Sequence, residues 1–388
     1  MGQYKQTEPD ALHQHRQDYA RRIRAQALKE GWNYDTDAFE TRPYWPLEPK
    51  NDVQFYRWPW SEVNPLIKEA KEVVRVGRGT GAYDRRVVSL CNPGLGERYA
   101  ATATLFADIQ LLAPGEEAPS HRHTPCATRF ILEGHGWTNV TGDRVRLEVG
   151  DIVYCGPDYW HDHKNEGDSD FIFLDVLDIP LLQYLGVSEW YFNYPEVSGS
   201  EDDIHYPKTT PDNFDKDHEK YIHPWARPRF DVPARRYNEI QHFPWVDVRR
   251  QLMRLADEKG SATDGIILQF QNPHTRNPIG PTVDIGSQMI RAGEKTASHR
   301  HTWATIFTCV EGRTELIVNN ETHQIEAGDI FVIPGWAWHA WHNPHQSPCF
   351  VHSISDYSVM ERLGFAREQN QTGDSSWQPI PFTRIVRD

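Results

Sequence analysis

The segment Gln110–Asp178 of this 388-residue chain reappears at Gln288–Asp356, 178 positions further on, with no insertion or deletion between the matched residues. Gly115-Glu116 answers to Gly293-Glu294, and Ser120-His121-Arg122-His123-Thr124 to Ser298-His299-Arg300-His301-Thr302. Glu133-Gly134, Gly150-Asp151, Trp160-His161 and Asn165 return as Glu311-Gly312, Gly328-Asp329, Trp338-His339 and Asn343. So many matches at one offset mean duplication, which implies two domains of a single architecture. Within each copy, short runs of Val, Ile, Leu, Phe and Thr are cut by Gly, Pro, Asp and Asn. That texture predicts an all-β barrel or sandwich.

The histidines are the chemically informative part of the repeat. His121 and His123 are two apart, and side chains two apart on a strand share a face. His161 follows after Gly150-Asp151; if its strand faces the same interior, three imidazoles converge. Imidazole suits Fe, Zn, Cu and Ni. A lone buried His is usually satisfied by hydrogen bonds, but an H-x-H pair with a third His, repeated as His299, His301 and His339, points to metal.

Composition narrows the rest. Asp and Glu number 55 against 41 Lys and Arg, a formal charge of −14, which argues against nucleic acid as a general partner. No apolar run is long enough to span a membrane. The five scattered cysteines form no C-x-x-C pair, and Met1 to Asp10 has no apolar signal core, so a reduced, cytoplasmic protein is expected. Residues 1–85 read as an N-terminal helical and extended arm, with a helix over about residues 10–31 (Tyr19, Ile23 and Ala27 at i, i+4, Gly31 as C-cap) and a short helix opening at Asn64-Pro65. Residues 86–190 and 263–365 are the two β domains. Between them, 191–262 is a polar connection ending in a helix from about Trp245 to Glu258, and 366–388 is a tail.

These residues resemble the cupin motifs: Gly115, His121-x-His123 and Gly134, then Gly150, Pro157, His161 and Asn165. The second copy matches with Gly293, His299-x-His301, Gly312, Gly328, Pro334-Gly335, His339 and Asn343. The chain is therefore similar to a bicupin, two double-stranded β-helix (jelly-roll) barrels. Many cupins place a Glu ligand four or five residues after the second His, where this chain has Ala127 and Thr128, or Thr305 and Ile306. Three neutral imidazoles leave a dication's charge uncompensated and coordination positions open. An anionic bidentate substrate plus O2 would fill both gaps.

The surroundings of the first motif sharpen the resemblance. Arg85-Arg86-Val87-Val88, Arg129-Phe130, Trp160-His161-Asp162-His163 and Leu174-Asp175-Val176-Leu177-Asp178-Ile179-Pro180-Leu181 resemble the gentisate 1,2-dioxygenase family, which includes salicylate and 1-hydroxy-2-naphthoate dioxygenases. The resemblance implies Fe(II) on His121, His123 and His161, chelation by the carboxylate and ortho hydroxyl of an aromatic acid, and cleavage between the ring carbons bearing them to a maleylpyruvate-type product. It also implies a homo-oligomer, a tetramer.

Arg129 lies an even number of residues beyond His123, so alternation turns it inward, where a guanidinium can pair a substrate carboxylate. Arg85 would be a second anion contact by family position, although alternation lets only one of Arg85 and Arg86 face in. His163 shares the face of His161 as an acid-base or supporting group, and Asp175 would accept a hydrogen bond from a distal ring hydroxyl. Gln110 and Phe106 would line the pocket.

In the second copy Arg129 becomes Phe307 and His163 becomes Trp341. A second metal is then possible at His299, His301 and His339, but ring cleavage is expected in the first. Gentisate is the first substrate expected, ahead of salicylate, 5-substituted salicylates and 1-hydroxy-2-naphthoate. The rival classes are a non-catalytic bicupin that binds a small acid and a different cupin enzyme.

Overall fold

A computed structural model describes residues 10–26, 48–76, 85–140, 143–192, 241–272 and 277–370. Residues up to Lys50 form a unit of their own. Its helix, Asp10–Arg24, ends in the basic turn Arg21, Arg22 and Arg24; Ala27 and Gly31 lie outside the described residues. None of the described helices is long and apolar enough to cross a membrane.

From Asn51 onward the chain is one compact unit holding two barrels, each made of two antiparallel sheets. In the first barrel, a six-stranded sheet runs in the order Gln241–Phe243, Ile152–Cys155, Ala127–Glu133, Phe171–Leu177, Phe106–Leu112 and Val87–Ser89. A five-stranded sheet (Trp190–Phe192, Glu117–His123, His161–Lys164, Gly136–Val140, Asp143–Leu147) closes it. The second barrel repeats this plan. Its six strands are Tyr56–Trp58, Ile330–Ile333, Thr305–Glu311, Cys349–Ser355, Asp284–Ile290 and Ile266–Gln269. Its five are Glu321–Glu326, Arg313–Val318, His339–His342, His299–His301 and Glu368–Asn370. The fold is the all-β bicupin expected.

Period-2 alternation explains why the six-stranded sheets are buried on both faces. In Phe106–Leu112, the residues Ala107, Ile109 and Leu111 join an apolar core shared with Ile285, Met289, Ile306 and Ile354 of the other barrel. Phe106, Asp108 and Gln110 then point the opposite way, into their own barrel. One sheet thus supplies both the glue between barrels and a wall of the site.

The arms preceding the two copies are exchanged. Tyr56–Trp58 precedes the first barrel in sequence but pairs with Ile330–Val332 of the second, while Gln241–Phe243 precedes the second and pairs with Ile152–Tyr154 of the first. Asp329 fixes one arm, accepting from the Trp60 amide at 2.9 Å and pairing with Arg57 at 2.9 Å. Asp151 fixes the other, accepting from the Trp245 amide at 2.7 Å and lying 2.8 Å from His242 Nε2. Gly150 and Gly328 precede these carboxylates at φ +85 and +89, where a Cβ would stand 2.7 and 2.5 Å from the Trp245 and Trp60 rings; only glycine meets both demands. The repeat positions Asp178 and Asp356 also tie the halves together. The Thr282 hydroxyl donates to Asp178 at 2.5 Å and the Thr104 hydroxyl to Asp356 at 2.7 Å.

Several local expectations change. The helix expected to open at Asn64-Pro65 starts at Trp60, runs to Val73 and carries Pro65 inside it. It starts early because the arm strand ends at Trp58 and Pro59 is an extended N-cap residue at φ −63 and ψ 129; Pro65 is then the sixth helical residue, past the first turn where a proline costs least. The later helix spans Trp245–Arg254 and not as far as Glu258. Two segments read as connection or tail are strands: Gln241–Phe243, and Glu368–Asn370, which pairs with His299–His301. Both are edge strands recruited by a partner sheet, a signal that resides in the partner.

Asp151→Ala would orphan the Trp245 amide at the arm junction. It is expected to lower unfolding free energy by about 1–3 kcal/mol, read as a lower urea midpoint. An unchanged midpoint would show that the exchanged arm is not anchored there.

Candidate active site

Three buried imidazoles meet in the first barrel. His121 and His123 come from Glu117–His123, His161 opens the neighbouring strand opposite His121, and their candidate ligand atoms all lie within 4.8 Å of one another. His123 Nδ1 is 2.7 Å from the Pro125 carbonyl oxygen and His161 Nδ1 2.8 Å from that of Tyr159. A carbonyl only accepts, so each Nδ1 carries the proton and each Nε2 keeps its lone pair. His161 Nε2 is buried with no hydrogen-bond partner among the described residues. Burial depresses all three: His123 falls to about 3, and His121 and His161 lie well below the ordinary value, with the Arg85 and Arg129 guanidiniums adding to the effect. Neutral, convergent nitrogen donors with an orphaned lone pair fit a divalent transition metal.

The opposing sheet contributes a charged row. Asp108, Asp175, Arg129 and Val153 stand in register on adjacent strands, and the first three are buried. Arg129 reaches Asp175 at 3.2 Å and donates to Cys155 Sγ at 3.2 Å. Burial raises both carboxyls: Asp108 is pushed well above the ordinary range by burial and Asp175, and Asp175 is raised by burial against the pull of Arg129. One oxygen of each carboxyl is buried without a hydrogen-bond partner among the described residues, as is Gln110 Nε2. His163 is buried, with Nδ1 2.9 Å from the Thr138 hydroxyl and Nε2 without a hydrogen-bond partner among the described residues.

The choice between the two arginines is resolved by their partners. Arg86 makes a two-bond ion pair with Glu116 at 2.7 and 2.9 Å. Arg85 lies 2.5 and 2.8 Å from the two ring nitrogens of His121, so it is the one at the site. Phe106 packs beside Ala127, Val140, Cys155 and Leu177.

Two residues escaped the sequence reading. Asp108 lies two before Gln110 on the same face, and its counterpart Gly286 is a signal that was present. Trp190 pairs with His123 and brings its ring to 4.4 Å from that imidazole; it lies beyond the repeat motifs, where no spacing rule marks it. In the second barrel the charged row becomes Gly286, Ser353 and Phe307, and Phe307 stacks on Phe331 at 5.2 Å beside Trp341.

Cupin-domain models match residues 108–177 and 286–355, the two halves of the repeat. A 5-aminosalicylate 1,2-dioxygenase of Comamonas is 32% identical over 369 residues, 94% of this chain and 91% of that protein. The chain belongs to the gentisate 1,2-dioxygenase family of bicupins. A gentisate 1,2-dioxygenase of Streptomyces is 32% identical, covering 83% of this chain and 88% of its own. Salicylate 1,2-dioxygenase from Pseudaminobacter salicylatoxidans, whose crystal structure is known, superposes with a TM-score of 0.77 at 29% identity, covering 94% of this chain and 99% of that one. Membership in this family makes the protein an aromatic ring-cleaving 1,2-dioxygenase.

Arg129→Met would take the ion-pair partner from buried Asp175 and leave Asp108 and Asp175 with Arg85 as the remaining nearby guanidinium. A loss of about 3–5 kcal/mol is expected at pH 8. The sign follows from carboxyls whose folded pKa is raised: their unfavourable contribution grows as pH rises and is relieved when they bind protons. The deficit should therefore be smaller at pH 5, and equal deficits in urea unfolding at the two pH values would contradict the assignment.

Proposed function

We propose that the first barrel cleaves a 2-hydroxybenzoate bearing a hydrogen-bonding substituent para to the ring hydroxyl, gentisate or 5-aminosalicylate, with Fe(II) on His121, His123 and His161. The observation that carries this is the Asp108–Asp175–Arg129 row, inside the same barrel as the imidazoles and absent from the second copy. Two carboxyls with unpartnered buried oxygens suit a ring hydroxyl or amine, and the unsubstituted ring of salicylate would leave them unpaired. The names of the Comamonas and Streptomyces relatives fit this class.

Fe(II) bound there supplies the one-electron chemistry that lets O2 react with an aromatic ring. The chain's own groups do the rest. With Fe(II) held by His121, His123 and His161, Arg85, which stands at the His121 ring, would pair the substrate carboxylate. Arg129 holds Asp175 and adds positive charge to the interior, favouring the anionic substrate. His163 Nε2, neutral and unpartnered, takes the proton of the ring hydroxyl. Phe106 and Trp190 provide apolar walls that limit water. Addition of O2 across the bond between the carboxyl- and hydroxyl-bearing carbons turns gentisate into a ring-opened oxo-dienedioate, with every substrate atom retained.

O2 uptake by Fe(II)-loaded protein tests the reading against gentisate, 5-aminosalicylate, 5-nitrosalicylate, salicylate and 1-hydroxy-2-naphthoate. Higher kcat/KM is expected for the first two. Asp108→Ala should cut their advantage over salicylate by at least about tenfold, because a site built to hydrogen-bond a substituent rejects the analogue lacking it. Salicylate preferred by the wild type, or a preference indifferent to Asp108→Ala, would overturn the substrate class.

A further inference from the structure

The second barrel keeps the three imidazoles and their local fastening. His299, His301 and His339 are buried, with candidate ligand atoms all within 4.8 Å of one another. His301 Nδ1 lies 2.8 Å from the Trp303 carbonyl oxygen and His339 Nδ1 2.9 Å from that of Ala337. As in the first barrel, this puts the lone pair on Nε2 of both rings. Apart from these rings and Gln288, which repeats Gln110, the polar groups of the first barrel are replaced. Phe307, Phe331 and Trp341 belong to one apolar cluster, so the region that holds Arg129 and His163 in the first copy is packed solid.

The charge beside the triad is reversed. In the first barrel the Arg85 guanidinium stands against His121. In the second, Asp264 Oδ1 stands 3.7 Å from His299 Nε2. The other Asp264 oxygen is already engaged: Oδ2 accepts from the hydroxyls of Ser261 at 2.9 Å and Thr263 at 2.6 Å. Gln288 Nε2 donates to the Asp264 carbonyl oxygen, which fixes the backbone as well. The carboxylate is thus held by one oxygen with the other presented to His299. Glu368 pairs with His301 in the strand register, where the first copy has Trp190 opposite His123, so a second acidic group replaces an aromatic wall.

We propose that the second barrel is a structural metal site in which His299, His301 and His339 hold a divalent transition ion, with the Asp264 carboxylate beside His299 supplying compensating charge and Zn(II) best matched. Zinc takes imidazole nitrogen readily, and a carboxylate next to a ligating histidine fixes its ring and raises its basicity. The carboxylate offsets the charge that, in the first barrel, is left for an anionic substrate. With Phe307 and Trp341 where the first barrel has Arg129 and His163, the site serves stability and not ring cleavage. It does not rest on the substrate proposed for the first barrel.

The test is metal analysis of purified, full-length protein stripped with chelator and reloaded with Zn(II). The wild type should bind two ions per chain. His121→Ala and His299→Ala should each bind one, and the double variant none, with circular dichroism and gel filtration confirming that each is folded. Asp264→Asn preserves shape while removing the charge. In the His121→Ala background it should weaken Zn(II) binding by at least about tenfold and reduce the rise in unfolding temperature that Zn(II) gives. A wild type with one ion per chain that His299→Ala leaves in place would overturn the site. Unchanged affinity in Asp264→Asn would remove the carboxylate from it.

Discussion

The structure depends on the two-residue period of its six-stranded sheets. Each sheet turns one row of side chains toward the other barrel and the alternate row into its own. The outward row is mainly apolar in both copies and forms the shared core, with Ser287 and His352 as polar members in the second copy, bonded to each other and, through His352, to the Gly150 carbonyl oxygen of the first barrel. The inward row is therefore free to be polar without weakening the union of the halves. Asp108 and Gln110 can occupy a strand whose neighbours Ala107, Ile109 and Leu111 do the packing. A slip of one residue would bury the charges in the core and expose the core to the site, so this register specifies both the assembly and the chemistry.

Duplication then allowed the two interiors to diverge while the outward faces stayed alike. The first interior kept cationic and carboxyl groups around the imidazoles; the second replaced them with stacked rings and moved an acidic group next to the histidines. The exchanged arms make the arrangement mutual, since each barrel's sheet is completed by the segment that precedes the other. The Gly-Asp pair that follows Asp143–Leu147 in the first barrel and Glu321–Glu326 in the second is what receives that segment. It looks like part of a metal-binding motif in the sequence, but its role in the structure is to dock an arm.

Much of this was legible beforehand because it rests on local spacing. The H-x-H pair, the third histidine and the inward direction of Arg129 follow from alternation on a strand, and the offset of 178 residues announced two copies. What was not legible depends on partners distant in sequence. The edge strand Glu368–Asn370 has no strand pattern of its own and exists because His299–His301 offers a free edge. The arms have their own correspondence, with Pro59-Trp60 matching Pro244-Trp245, but at a different offset, so a search at one spacing passes over them. Arg129 was expected to face a substrate carboxylate; it does lie inside, yet one of its bonds is already committed to Asp175. Asp108 was missed although Gln110 is the one other polar residue of its strand, and a charge in such a strand is itself the signal.

The central claim is that the first barrel adds O2 to an aromatic acid, and the mass of the product tests it most directly. Fe(II)-loaded protein turned over with gentisate or 5-aminosalicylate should give a ring-opened acid heavier than the substrate by the mass of one O2, and His121→Ala should give none while His299→Ala still does. A product heavier by a single oxygen atom, or one that persists in His121→Ala and vanishes in His299→Ala, would contradict the account.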